Sequence, residues 1–303
     1  MPKSKKLYIW KLSTTWPSER PSRERLVEKN FRLHVDEKEY EDEDGDYRCI
    51  VKLIMRDDTY QESHASGVLV GPDTILTSAH NVLDHRETSV SHAVAVKAYI
   101  GYHLGSSSGG KGVQERFGTM VVVPAKFVVS EYNASYDRAL IKVDSIFTQV
   151  KPAMYRAPSS GMTKVLVVGY PGNNTSQVRN ACSECLWAGC MYVVKGEAEL
   201  KVQKLLHYKL STAEGNSGGP VFLDEMPRTV IATHTGGASE GINRATAVDV
   251  DFIKAGRAAL KQQHPSPHRY IVMRQQAGTY TWVLLQPERE WTNYVPGSRA
   301  SRR

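Results

Sequence analysis

Residues Ser211–Phe222 read STAEGNSGGPVF. Gly215, Gly218 and Gly219 crowd around Ser217, just ahead of the apolar run Val221–Leu223. Glycines this close together forfeit packing and cost conformational entropy. A glycine-rich turn feeding a strand is the simplest account, because glycine clusters are common turn punctuation. The other account is that Ser217 needs backbone that side chains would obstruct. The rest of the chain decides between them.

From Tyr47 onward the chain is a series of short apolar stretches broken by turn residues. Examples are CIVKLIM, SGVLV-GPD-TILTSAH, MVVVPAKFVV, ALIKVD, KVLVVGYPG and TVIATHTGG. Val, Ile and Thr dominate, and Gly-Pro-Asp, Tyr-Pro-Gly and Gly-Gly separate the runs. This texture predicts an all-β sandwich or barrel. One stretch departs from it. DVDFIKAGRAALKQQH sets Phe252, Ile253, Gly256, Ala259 and Leu260 on one helical face, with Asp249 or Asp251 available as the cap. After this helix, RYIVMRQQAGTYTWVLLQ predicts a hairpin around Gln276-Ala277-Gly278.

A serine is a weak nucleophile unless a base takes its proton, and the base needs a group that fixes its tautomer. The chain has 10 histidines, so a single one decides nothing. His80, however, ends TILTSAH after a strand-turn-strand signal, and YDRALIKVD puts Asp137 just before an apolar strand. The order His80, Asp137, Ser217 is one known solution to the triad geometry. The glycines then gain a purpose. The N–H groups of Gly215 and Ser217 form an expected oxyanion hole, each donor contributing about 3–4 kcal/mol to the transition state.

Together, LTSAH, YDRALIKV and GNSGGPVF resemble the three catalytic blocks of the chymotrypsin-like serine peptidases. SGVLVGPDTILTSAHNV, VVGYPG, YVVKGE, HYKLST and the H-x-GG at His234 narrow the resemblance to the glutamyl endopeptidase branch. It covers roughly residues 48–262. It implies two packed antiparallel β-barrels of the trypsin-like kind, with a C-terminal helix and here a short added hairpin. It also implies a serine endopeptidase working through an acyl-enzyme, without a cofactor or metal. A catalytically silent scaffold that binds a peptide or protein partner in the same cleft is the alternative.

The departures from the resemblance also inform. Asn216 stands where trypsin-like enzymes have the Asp that pairs with a newly cut N-terminus, and Asn81 where relatives have a disulfide Cys. Ser211 replaces the Asp that selects Lys or Arg. By the resemblance, Thr212 and His234 match the residues that hold a substrate glutamate. A hydroxyl and an imidazole N–H suit that task, and a cationic His234 would bind carboxylate better. Acidic substrates are therefore expected to lose affinity as pH rises past its pKa. Glu214 and Thr235 oppose the glutamate preference, the first by its charge and the second by replacing an aromatic residue. The branch further implies a processed N-terminus, here near Leu26 or Val27.

The formal net charge is +7. Residues 1–25 carry a balance of +5 and the last five residues +3, so the body is nearly neutral. Solvated tails explain this better than a nucleic-acid partner, and no base-stacking or groove-reading motif is present. The composition, 41% hydrophobic, suffices for a sizeable core. No apolar run approaches the roughly 20 residues a membrane helix needs. Nor does the N-terminus read as a secretory signal, which tilts the expected compartment toward the cell interior. Cys49, Cys182, Cys185 and Cys190 leave zinc, a disulfide and unpaired thiols all open, with His207 as a further zinc ligand. The expected organisation is a tail or pro-segment with an acidic run (1–47), an N-terminal barrel (48–155), a C-terminal barrel with the helix (156–264), and a hairpin with a basic tail (265–303). The expected partner is a peptide or protein substrate.

Overall fold

The computed structural model describes residues 7–16, 33–36, 38–85, 90–103, 112–130, 133–172, 189–201, 204–239, 241–262, 271–276 and 279–284. Leu26, Val27, Cys182, Cys185 and the Ala277-Gly278 tip lie outside them.

The first half of the chain carries strands β1 (Leu7–Lys11), β2 (Leu33–His34), β3 (Ile50–Asp57), β4 (Glu62–Gly71), β5 (Thr74–Thr77), β6 (Leu83–His85), β7 (Val90–Ile100), β8 (Gln114–Pro124) and β9 (Ala139–Val143). Following the hydrogen bonds through β3, β4, β5, β9, β8 and β7 returns to β3, so six antiparallel strands close a barrel. The second half carries β10 (Met154–Tyr155), β11 (Met162–Gly169), β12 (Tyr192–Lys201), β13 (Leu205–Tyr208), β14 (Pro220–Leu223), β15 (Met226–Ser239) and β16 (Ile242–Ala247). The circuit β11, β12, β13, β16, β15, β14 closes a second six-stranded barrel. Closure pairs the ring strands with one another, and β1, β2 and β10 cover stretches of β8, β12 and β15 that run beyond the rings. The last seven residues of β4 are all buried, because this strand has one face in its own core and the other against the second barrel.

The helix falls where its periodicity placed it. It spans Val250–Leu260, with Asp249 Oδ1 accepting from Phe252 N at 3.0 Å as the N-cap. Phe252, Ile253, Gly256, Ala259 and Leu260 form its buried face. That face lies on β8 and β9, so the helix leaves the second barrel and packs on the first. Strands β17 (Ile271–Gln276) and β18 (Thr279–Leu284) pair antiparallel as the expected hairpin, from Ile271↔Leu284 to Gln276↔Thr279.

The N-terminus corrects the sequence reading. Residues 7–11, expected in a solvated tail, form β1, which pairs with β8 on one side and β17 on the other. Leu7, Tyr8, Ile9 and Trp10 are all buried. Trp10 Nε1 donates to Ala93 O at 2.9 Å, and Trp16 lies 4.5 Å from the Arg56 guanidinium. Three nearby lysines dominated the composition there, and a four-residue apolar run is too short to outweigh them by pattern alone. A cut before Leu26 would leave this strand held to the rest of the protein by its pairing alone. The acidic run is likewise anchored, since Tyr40 in its short helix Lys38–Glu41 is fully buried. Trp10→Ala should lower stability by about 3 kcal/mol or more, the usual cost of emptying a large aromatic site. A shifted midpoint in urea unfolding checks this, and an unshifted one would mean β1 is not docked.

Candidate functional site

Strands β5 and β9 are neighbours, with Thr77 opposite Ala139. His80 lies in the 3-10 turn Ala79–Asn81 just after β5, and Asp137 in the turn just before β9. Both leave the barrel at the same end, so a separation of 57 residues becomes a direct contact. His80 Nδ1 donates to Asp137 Oδ2 at 2.7 Å, and the His80 backbone N–H donates to Asp137 Oδ1 at 2.9 Å. Two bonds on one carboxylate fix the ring against rotation and leave the Nε2 lone pair facing away from Asp137. Asp137 is buried, while His80 keeps part of its ring open.

Ser217 comes from the second barrel, on the turn before β14. Its carbonyl accepts from Ser66 N at 2.9 Å and from Asn81 Nδ2 at 3.0 Å, so the residue next to His80 touches the serine directly. Ser66 Oγ donates to Gly215 O at 2.7 Å and accepts from Tyr170 N at 2.8 Å. Gly218 N donates to His234 O at 2.7 Å, and Ser78 Oγ reaches the same oxygen at 3.0 Å. The glycines are required here. Gly215 has φ +87°, and a Cβ would sit 2.5 Å from Tyr170 O. Gly218 has φ +80°, and a Cβ would collide with Thr77 Oγ1. Among the described residues the N–H groups of Gly215 and Ser217 donate to nothing, and Ser217 Oγ has no hydrogen bond. Two idle amides beside a serine hydroxyl make a ready site for a negatively charged oxygen.

The two central histidines are driven apart electrostatically. Burial works against the His80 cation, but the charge of Asp137, its hydrogen bond and Asp84 outweigh burial and raise the pKa above the ordinary value. His234, 2% exposed, is pushed down to about 3 by burial and by the neighbouring His80. It is therefore neutral at working pH, which overturns the expected loss of acidic-substrate affinity as His234 deprotonates. Tyr208 OH lies 2.6 Å from His234 Nδ1 and 3.4 Å from Arg244 O. With the phenolic proton given to Nδ1, Nε2 carries the ring hydrogen; with it given to Arg244 O, Nδ1 is the donor.

His80, Asp137, Gly215 and Ser217 thus come together. Thr212 is half-buried on the segment after β13, which Asn243 Nδ2 ties down through Leu210 O at 2.8 Å. No hydrogen bond joins Thr212 to His234 among the described residues. Glu214 is exposed. A cavity of about 240 Å³ opens beside His80, lined by first-barrel residues that include Glu62, Asp84 and His92. Sequence reasoning missed Ser66, Ser78, Asn81 and Tyr208. Their only signal was polarity inside otherwise apolar strands or next to the histidine. Cys49 and Cys190 are both buried, and burial raises the Cys49 pKa to about 12.

The model of the trypsin-like peptidase domain matches residues 65–231, more than half of the chain. A glutamyl endopeptidase of Staphylococcus aureus strain MW2 is 29% identical over 214 residues, covering 67% of this chain and 55% of that protein. The strain MRSA252 protein is 29% identical over 196 residues, covering 61% and 46%. The chain spans about half the length of the curated relatives it matches. Among solved structures, a Glu endopeptidase in complex with MPD superposes with a TM-score of 0.61 at 22% identity, over 78% of this chain and 99% of that one. The protease Anisep of Arthrobacter nicotinovorans gives 0.55 at 16%, over 70% and 95%. These likenesses show the double-barrel fold.

Two outcomes follow from the geometry. Asp84→Asn removes a charge that favours the His80 cation, so the His80 titration followed by NMR should move to lower pH. Any activity that needs neutral His80 should then begin at lower pH as well, because the limb rises as the ring loses its proton. Ser66→Ala strands the Gly215 carbonyl and the Tyr170 N–H, at a cost of about 1–3 kcal/mol in unfolding experiments. It should also lower kcat about tenfold, as a slackened Gly215 amide loses part of a donor's contribution.

Proposed function

The chain belongs to the trypsin-like peptidase domain family, and on that premise we propose that it is a serine endopeptidase that prefers glutamate on the acyl side of the scissile bond. The observation that carries the reading is the two-point grip of Asp137 on His80, whose neighbour Asn81 holds the carbonyl of a serine flanked by two idle amides. His80 Nε2 takes the proton from Ser217 Oγ as the oxygen attacks the carbonyl carbon of the peptide bond. The Gly215 and Ser217 N–H groups receive the oxyanion, each contributing about 3 kcal/mol. Asp137 stabilises the imidazolium that forms, and its desolvated charge is effective because water is excluded from it. The imidazolium then protonates the leaving amine, and an acyl-enzyme remains on Ser217. Water, activated by His80 in the same way, releases the acid and regenerates the serine.

The open Ser217 Oγ does not count against this, since catalytic hydrogen bonds often tighten only when substrate binds. The glutamate preference draws support from the glutamyl endopeptidase relatives and from the donors at Thr212 and His234. In the tautomer whose Nδ1 accepts from Tyr208, a neutral Nε2–H and a hydroxyl offer a carboxylate two hydrogen bonds without burying a full charge. The leaving side of the substrate passes His80, toward the cavity beside it.

Digestion of a denatured protein mixture tests the reading, with the cut sites read by mass spectrometry. Cuts should follow Glu, and Asp more weakly because its shorter stem reaches less far. Ser217→Ala should abolish both the cuts and labelling by a serine-directed phosphonate, and His80→Ala should cost a similar factor, because triad members act as a unit. Peptide binding without cleavage by the unaltered chain would favour the silent scaffold instead.

A further inference from the structure

Two walls of the cavity beside His80 are held from outside by the first residues of the chain. One wall is the start of β7, with Ser91, His92 and Ala93. The other is the turn between β3 and β4, with Asp57, Gln61 and Glu62. Where these walls meet, the β3–β7 ladder is bulged. Arg56 pairs with Ala95 but Asp57 with Ala93, so Val94 is the extra residue. A bulge leaves its extra residue out of the ladder and re-aims the side chains around it. Residues 10–13 supply partners that the ladder does not. Trp10 Nε1 donates to Ala93 O at 2.9 Å, and Ser13 N donates to Val94 O at 2.7 Å. The Trp10 ring also meets the His92 ring nearly at right angles, with centroids 5.3 Å apart.

The second wall is reached through Trp16. Arg56 on β3 and Lys97 on β7 are diagonal neighbours, and both cations lie over the Trp16 ring, at 4.5 and 4.7 Å. An indole face attracts cations through its quadrupole, most strongly where water is scarce. Arg56 is only 1% exposed. Its Nη2 donates to Glu62 Oε2 at 3.0 Å, and Glu62 Oε1 lies 3.2 Å from His64 Nε2. Trp16 thus reaches the cavity at second hand, from ring to guanidinium and from guanidinium to the carboxylate on the wall. Residues 7–16 do not themselves line the cavity, and they precede the matched domain, which begins at residue 65.

We infer that Trp16 is a positioning residue for the leaving side of the substrate, the end of a strap, residues 7–16, that shapes the subsite beyond the scissile bond. This rests on the endopeptidase reading, in which the leaving segment passes His80 into this cavity. Trp10 and Ser13 fix the β7 wall, and Trp16 fixes the β3–β4 wall through Arg56 and Glu62. Thr212 and His234, on the acyl side, belong to the second barrel, whereas these contacts of the strap all end on the first. A substrate with nothing after the scissile bond is therefore indifferent to Trp16.

The test compares substrates that differ only after the scissile bond. One is a tetrapeptide anilide ending in Glu, or in whichever residue the digest identifies, and the other carries four further residues in place of the anilide. Trp16→Ala should lower kcat/KM for the extended peptide about tenfold, chiefly through KM, because a displaced wall misplaces what binds on it. The anilide should change by no more than about twofold. Trp16→Phe, which keeps an aromatic face over Arg56, should restore most of the loss. Glu62→Gln should also weaken the extended peptide, and the double variant should lose less than the two single losses combined, because both act through one chain of contacts. Urea unfolding checks that each variant is folded, and Trp16→Leu replaces Trp16→Ala if the latter is not. Binding is read by calorimetry in the Ser217→Ala protein, where the four added residues should raise affinity and Trp16→Ala should cut that gain about tenfold. No gain from the added residues, a gain untouched by Trp16→Ala, or equal losses on short and extended peptides overturns the inference. Phosphonate labelling of Ser217 separates the two readings. Absence of labelling, with extended-peptide binding still dependent on Trp16, would sink the catalytic reading and sustain the strap, and labelling with a gain independent of Trp16 would do the reverse.

Discussion

Everything at the cleft hangs on one buried hydroxyl. Ser66, fully buried on β4 of the first barrel, donates to Gly215 O and accepts from Tyr170 N, both in the second barrel. Its backbone N–H holds Ser217 O, and its own carbonyl accepts from Thr77 Oγ1 at 2.8 Å. The proposed chemistry needs a serine from one barrel and a histidine from the other to meet closely, and each barrel is closed on itself. The alignment therefore depends on the few polar bonds that cross between them. In a dry interface such bonds are short-ranged and directional, and leaving one unmade is costly. Gly215 and Gly218 belong to the same constraint, since side chains there would push the turn off its neighbours.

The second theme is the separation of charge states. His80 and His234 are close enough to influence each other, yet their pKa values move in opposite directions from the ordinary histidine value. Asp137 is the difference. Its carboxylate meets the His80 ring, whereas the His234 ring meets the neutral phenol of Tyr208. In the proposed reaction the ring that gains a proton needs a buried counter-charge, and a ring that only donates a hydrogen bond does not. Environments that push two like groups apart in pKa assign them different tasks.

The chain ends tie the scaffold together. The strand β1, the helix Val250–Leu260 and the β17–β18 hairpin all rest on the first barrel, although two of them follow the second barrel in sequence. Trp10 holds Ala93 O, and Tyr8 OH lies 2.9 Å from His92 Nε2. Ala93 and His92 line the cavity beside His80, so the first residues of the chain support a wall of the cleft.

Sequence by itself determined the all-β architecture, the helix, the pairing of His80 with Asp137 and the glycine turn that carries Ser217, while the structure chose Asp249 over Asp251 as the cap. These are written in local patterns: alternation and turn residues, a 3.6-residue period, and glycines where no side chain fits. Tertiary structure decided what depends on which strands become neighbours. It moved residues 7–11 from a tail into the sheet, because the edge of β8 that receives them is more than 100 residues away. It made His234 neutral, because burial and the nearby His80 set its charge, and neither has a local signature. It picked out Ser66 from many serines. Its importance lies in partners made across the fold, and a polar residue's worth depends on what surrounds it when water is gone.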